Sequence, residues 1–198
     1  MRLSAVKLLI GANVAVYGLQ QLMPNRLEDS FALWPLQPID GAVHFEPWQI
    51  LSYAFLHSPD SIFHLLFNMI GLWMFGTQVE ERIGPARFLA VYFASVITAA
   101  LSQLFIPALF GGDAGPTIGA SGGVFGLLLA YAILFPRRKV VPLIPPIPMP
   151  AWLFASIYAG LELLLGVTGA QASVAHFAHL GGMIGSAIVM LVWRDRSV

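Results

Sequence analysis

Four polar side chains stand in stretches that are otherwise almost wholly apolar: His64, Asn68, Ser121 and His179. Polar groups in such surroundings are costly and are candidates for function by default. His64 and Asn68 are four residues apart, so on a helix they share one face. Ser121 lies in the run Gly119-Ala120-Ser121-Gly122-Gly123-Val124-Phe125-Gly126, and His179 precedes Gly181 and Gly182. A serine beside a histidine is the minimum for nucleophilic catalysis, because the imidazole takes the hydroxyl proton as the bond to a carbonyl forms. The resulting tetrahedral intermediate needs hydrogen-bond donors. His64, Asn68 and backbone N–H groups near a helix start at Ser121 are placed to supply them. A third, carboxylate member is not apparent: Asp113 falls in a loop and Glu162 in another apolar stretch. The expectation is a Ser121–His179 dyad.

Each residue also has a plainer interpretation. A serine among glycines packs, a histidine at a helix end is interfacial, and an asparagine in a span bonds a neighbouring helix. It is the joint pattern that favours chemistry. His176, one turn before His179, competes for the role of base, but its place nearer the helix start favours a loop or water-facing structural role. His44 and His57 read as interfacial or hydrogen-bonded loop residues. Glu162 reads as structural, protonated or bonded to backbone.

The elements that position these residues follow from composition. The chain has 198 residues, 58% hydrophobic and 10% charged, with no cysteine and zero net charge. Soluble domains carry about 25% charged residues. Too few charges remain to coat a globular surface, which excludes a typical soluble enzyme and a disordered chain. Nucleic-acid binding would need a basic excess. Without cysteine there are no disulfides, thiolate nucleophiles or zinc–thiolate sites. No metal and no cofactor are expected. The fold class is an all-α integral membrane protein, a single domain over 1–198.

A bilayer core of about 30 Å takes roughly 20 apolar residues in helix. Six stretches approach that length: 3–22, 61–78, 86–110, 117–135 (short), 151–167 and 173–193. None alternates with period two, which argues against a barrel. Six spans put both termini on one side. That side receives Arg2, Lys7, Arg82, Arg87, Arg137, Arg138, Lys139, Arg194 and Arg196, and the other only Arg26 together with Glu28, Asp29, Asp40, Glu46, Asp60 and Asp113. The asymmetry predicts cytoplasmic termini. Arg2 and Lys7 before an apolar run resemble a signal peptide, but without a clear cleavage site the segment is read as a retained first helix. Spans two, four and six then run inward in parallel, and all four polar residues fall near their outer ends at similar depth.

Gly119 to Gly123 and Gly122 to Gly126 are small-xxx-small spacings, as are Gly181 to Gly185 and Gly182 to Ser186. They predict that spans four and six pack closely, bringing Ser121 to His179 and Phe125 to the imidazole ring. The loop 23–60, with Trp34 and Trp48, suits an interfacial, partly embedded segment. The proline-rich stretch 142–150 is expected to be an extended cytoplasmic connector. No internal repeat suggests an inverted-repeat transporter.

The same residues resemble a family, the rhomboid intramembrane serine proteases in their six-span bacterial form, through nearly the whole chain. His64-Leu65-Leu66-Phe67-Asn68 is similar to HxxxN. Gly76, Glu80 and Gly84 are similar to GxxxExxxG, Gly119-Ala120-Ser121-Gly122 to GxSG, and Ala178-His179 with Gly182 to AHxxG. The resemblance implies a six-helix bundle with a short central helix carrying the nucleophile and a membrane-associated first loop. It implies Ser121 as nucleophile, His179 as general base, and His64, Asn68 and the Ser121 amide as the oxyanion hole. Phe125 would stack on the base, while Gly119, Gly122 and Gly182 would serve packing. The fifth span and the loop at about 166–172 would gate entry of substrates, which would be single transmembrane helices in the lipid bilayer. The implied location is a bacterial inner or plasma membrane, with the site opening outward. Two positions depart: Gln49 follows Trp48 where the family often has Arg, and Ser186 replaces a glycine. Ala120 stands before Ser121, where inactive relatives place proline. The alternatives are a catalytically silent relative that binds membrane helices as a chaperone or retention factor, and a small transporter. Substrate, pathway and oligomeric state are not legible.

Overall fold

Pro85 sits at the first turn of a helix, where its missing N–H costs nothing. The preceding Gly84 has φ +83°, a turn of backbone that lets one long helix end and the next begin. Such local signals divide the chain into its elements. The computed structural model describes residues 4–23, 25–36, 43–110, 115–142, 145–169 and 174–194. Arg2, Asp40, Asp113 and Arg196, used in the orientation argument, lie outside them. So do Leu3 and Ser173, the first residues of two expected spans.

The order is α1 (Ala5–Leu22), α2 (Arg26–Phe31), α3 (Gln49–Ser52), a 3₁₀ turn (Tyr53–Phe55), α4 (Ile62–Gly71), a wider π-type turn (Leu72–Gly76), α5 (Thr77–Ile83) and α6 (Pro85–Phe105). A 3₁₀ turn (Pro107–Phe110), α7 (Ser121–Leu134), β1 (Lys139–Val140), β2 (Met149–Pro150), α8 (Ala151–Thr168) and α9 (His176–Arg194) follow. Residues 62–83 run as one apolar rod through the π-type turn. Among the described residues, four helices are long and apolar enough to cross a membrane: Ile62–Ile83, Pro85–Phe105, Ala151–Thr168 and His176–Trp193. The 14-residue α7 is apolar but shorter. The chain is therefore an all-α, multi-pass membrane bundle.

The core lies where α6, α7 and α9 meet, with Phe88, Val91, Tyr92, Val96, Leu127 and Ala130 fully buried. The outer faces carry exposed Phe63, Phe67, Trp152, Leu164, Ile184 and Leu191. Such a belt would be a defect in water and is at home in hydrocarbon. The N-terminus of α1 is tied to α5 by Glu80, whose carboxylate accepts from Ser4 Oγ (2.5 Å) and from the N–H groups of Ala5 (2.8 Å) and Val6 (3.1 Å). A carboxylate there satisfies orphan donors and complements the helix dipole.

The structure corrects two boundaries and adds a pairing to the connector. The fourth helix begins at Ser121, not at 117: Thr117 pairs with Leu33 through two backbone bonds of 2.9 Å, and the chain stays out of helix to Ala120. The third helix ends at Phe105, before Pro107. The proline-rich connector is extended, but it also pairs: β1 and β2 form an antiparallel ladder with Lys139 opposite Pro150 and Val140 opposite Met149. Residues 143–144 lie outside the described set.

The first loop is held by named bonds. Gln49 is fully buried, and its Oε1 accepts from the N–H groups of Trp34 and Glu46, both at 3.2 Å. Trp48 Nε1 donates to Ser30 O (2.9 Å), and Tyr53 Oη to Val96 O (2.9 Å) on α6. Gln49 thus anchors the first loop through its side-chain amide.

Candidate active site

Ser121 is the first residue of α7. The first intrahelical bond runs from the Val124 N–H to Ala120 O (3.0 Å), so the N–H groups of Ser121, Gly122 and Gly123 precede the helical ladder. Gly119, two residues earlier, has φ +126° and donates its N–H to Tyr53 O (3.0 Å). A Cβ there would sit 2.8 Å from His64 Nε2, so glycine lets the imidazole lie over the turn. Ser121 Oγ and His179 Nε2 are 2.7 Å apart. The Phe125 ring lies parallel to the imidazole, with centroids 4.2 Å apart and planes 4° apart.

His64 projects from the first turn of α4. Its Nδ1 accepts the N–H of Ser58 (3.2 Å), which leaves the proton on Nε2 in the neutral ring. That Nε2–H is a donor on the Ser121 side of the ring. Asn68 is buried one turn on, and its Nδ2 donates to His64 O (2.8 Å). One amide hydrogen is thereby used in the helix and the second is left for another acceptor. His57 is a loop residue whose backbone is hydrogen-bonded to the Gln20 side chain. It is fully buried, edge-on to His64 with ring centroids 5.1 Å apart, and burial, then the nearby His64, pushes its pKa down to about 4.

The glycines divide between two neighbouring helices. α7 and α9 do meet through glycine, since a Cβ on Gly182 would fall into the backbone carbonyl of Gly122, and one on Gly126 would fall against Ser95 and Gly182 O. Gly181 and Gly185, however, face Ser102, Thr98 and Ala94 on α6, and Gly123 faces Tyr92 there. Gly119 is not helical, so its spacing to Gly123 is not a ridge. Gly122 is also pressed by α6, where a Cβ would stand 2.5 Å from Ala99 Cβ. The helix α9 therefore uses two small-residue stripes, one toward each neighbour.

Two cavities reach Ser121, and the first of them also reaches His179. One of about 590 Å³ is bounded by Ser58, His64, Gln103, Thr117, Ser121 and His179. The other, about 820 Å³ and more apolar, runs between α4, α7, α8 and the β ladder past Asn68, Ser121, Phe125, Val140 and Tyr158. Their common wall holds Ser121 and His64. The expected gate at 166–172 is described only to Gly169, and residues 170–172 lie outside the described set.

Sequence reasoning missed one contact. Glu162, on α8, is neither unpaired nor bonded to backbone: its Oε2 lies 2.6 Å from His176 Nδ1 and 3.0 Å from His179 Nδ1. His176 is buried, not water-facing. A carboxylate in an apolar span was the only signal in the sequence, and it did not name a partner.

Ser121 and His179 thus meet at the wall of a cavity inside a multi-pass helical bundle. Residues 44–196 match the Rhomboid domain, and the chain belongs to the rhomboid family. It is 35% identical over 181 residues to "Rhomboid protein 1, mitochondrial" of Saccharomyces cerevisiae, covering 88% of this chain and 49% of that protein. It is 35% identical over 125 residues to "Rhomboid protease GlpG" of Klebsiella pneumoniae, covering 63% of this chain and 41% of that one. To "Rhomboid protease GluP" of Bacillus subtilis it is 34% identical over 143 residues, 71% of this chain and 25% of that one. The chain thus spans half or less of the length of these relatives.

Proposed function

We propose that the chain is an intramembrane serine endopeptidase that hydrolyses peptide bonds in or near transmembrane segments of other membrane proteins. The observation that carries this is the 2.7 Å contact between Ser121 Oγ and His179 Nε2 in a member of the rhomboid family. His179 Nε2 takes the proton as Ser121 Oγ attacks the scissile carbonyl carbon, and an acyl-enzyme forms as the protonated base passes its proton to the leaving amine. Water, activated by the same imidazole, then releases the acid. The Ser121 N–H, His64 Nε2–H and the remaining Asn68 amide hydrogen are the donors for the oxyanion. Phe125 holds the imidazole plane, and Gly119, Gly122 and Gly182 let the helices close on the site.

In this reading six helices span a bacterial inner or plasma membrane, α1 and the short α7 included. The termini are cytoplasmic and the polar cavity opens to the outer side. The apolar cavity between α4 and α8 faces lipid, where a substrate helix would enter. The chemistry asks for no metal and no cofactor. A fluorophosphonate probe tests the assignment. The wild-type protein in detergent is expected to be labelled at Ser121, with labelling lost in Ser121→Ala and His179→Ala while both variants stay folded. Undiminished labelling in Ser121→Ala would overturn it. Membrane-helix binding without any labelling would point instead to a silent helix-binding relative.

A further inference from the structure

The two-residue relay leaves Glu162 without a task, yet Glu162 is a buried carboxylate in a membrane span, touching the base itself. Such a group is retained at considerable cost and needs partners. One explanation is a metal site, since Glu162, His176 and His179 offer ligand atoms within 4.8 Å of one another. The distances speak against it. Two donors on a tetrahedral ion, each about 2.0–2.1 Å from the metal, stand about 3.3 Å apart. Glu162 Oε2 and His176 Nδ1 are 2.6 Å apart, the separation of a charge-assisted hydrogen bond.

The alternative uses the same oxygen differently. A carboxylate oxygen has two lone pairs and can accept from two donors. Here Oε2 is hydrogen-bonded to His176 Nδ1 at 2.6 Å and has His179 Nδ1 3.0 Å away. The His179 N–H is not yet well aligned on that oxygen, and catalytic hydrogen bonds commonly tighten only as charge develops. A proton held at Nδ1 leaves Nε2 bare, and Nε2 is the atom that faces Ser121 Oγ. When Nε2 takes the serine proton, the positive ring stands beside a negative carboxylate in a medium where that attraction is weakly screened.

We propose that Glu162 is a positioning residue for the base, fixing His179 in the Nδ1–H tautomer and stabilising the imidazolium, so that the relay is Ser121–His179–Glu162. The proposal rests on Ser121 being the nucleophile. The bond to His176 fixes the carboxylate itself, turning its oxygen toward α9. No atom changes hands at Glu162: the proton moves between Ser121 Oγ and His179 Nε2, and the carboxylate stays ionised throughout.

The test compares Glu162→Gln and Glu162→Asp with wild type. The full chain is used in detergent, with a transmembrane peptide substrate and rates normalised to the fluorophosphonate-titrated sites. Glu162→Gln is expected to lower kcat by at least about tenfold with KM unchanged, since loss of the third member in soluble triads costs about 10⁴. Glu162→Asp, which keeps the charge, is expected to recover part of the loss. A kcat retained in Glu162→Gln, a KM that rises with the loss, or Asp no better than Gln would each overturn the proposal. Should the variants not fold, ¹⁵N NMR of the wild-type histidines decides. His179 is expected to carry its neutral-state proton on Nδ1, and a proton on Nε2 would overturn it. Full labelling of the Ser121→Ala variant would sink the nucleophile assignment, a result distinct from all of these.

Discussion

Phe125 offers a cleaner measure of positioning than Ser121 and His179 do, because it stacks on the proposed base without exchanging a proton. Its ring lies flat on the imidazole at 4.2 Å, and is itself braced by Tyr158, whose centroid is 6.3 Å away. Aromatic pairs of this kind contribute about 0.5–1.5 kcal/mol. Phe125→Ala is therefore expected to lower kcat about fivefold with little change in thermal stability, and Phe125→Tyr to restore it. A peptide-cleavage assay on the three proteins checks this. Gly182 is the opposite case, where no side chain is tolerated. The Cβ of Gly182→Ala would meet the Gly122 carbonyl, which is backbone and cannot turn away. Overpacking of this sort costs about 1–3 kcal/mol or more, so both melting temperature and cleavage are expected to fall. Gly160→Ala, with nothing within 4 Å of the added carbon, is the control. The contacts of His179 with Ser121 and Phe125 were legible in the sequence because polar residues in apolar spans and nearby glycines bring α7 and α9 together. Glu162 was not. Its helical neighbours at three and four residues are Tyr158, Ala159, Leu165 and Gly166, and its partners stand on another helix.

Between the residues and the bundle, the helix ends do much of the organising. Glu80 gathers a hydroxyl and two N–H groups at the start of α1, so the first helix is fastened to α5 rather than merely packed beside it. Hydrogen bonds to a charged group contribute about 1.5–3 kcal/mol when buried, and this site is only half-buried. Glu80→Ala is expected to destabilise the protein by about 2 kcal/mol. The loss should appear as faster proteolysis at the α1 end before the site at the other end of the bundle is affected. Cleavage in α1 no faster than in wild type would count against this role. The glycine pattern shows what an element can and cannot say. The spacing Gly181 to Gly185 announces close approach, but the same spacing serves α6 as well as α7, and the sequence holds no record of which neighbour is reached. The start of α7 at Ser121 is equally silent in apolar length. Thr117-Ile118 is apolar enough for a span, but pairing with Leu33 claims its backbone before the helix begins.

For the molecule as a whole, composition alone spoke for a membrane bundle, because 10% charged residues cannot cover a protein of 198. The order of the long helices also followed from apolar length. The first loop did not. Its stability comes from backbone acceptors and a buried amide, Gln20, which joins α1 to the loop by donating to His57 O (2.8 Å) and accepting the His57 N–H (2.9 Å). These bonds bury His57 at the junction of loop, α1 and the His64 ring, and they give the fold a pH dependence that hydrophobic burial lacks. The folded-state pKa of about 4 lies below the ordinary value of 6.5, since burial and then His64 disfavour the charged ring. The unfolded chain therefore takes up a proton between these limits that the folded protein refuses. The neutral ring's contribution is complete above pH 6.5 and is lost as pH falls toward 4. Over the whole window it amounts to about 3 kcal/mol. Thermal denaturation in detergent from pH 7.5 to 4.5 is expected to show a steady fall in melting temperature below pH 6.5. His57→Asn removes the titrating ring, so its melting temperature should lie below wild type at neutral pH and converge on it in acid. Parallel curves for the two proteins would assign the acid sensitivity to another group and leave His57 a packing residue only.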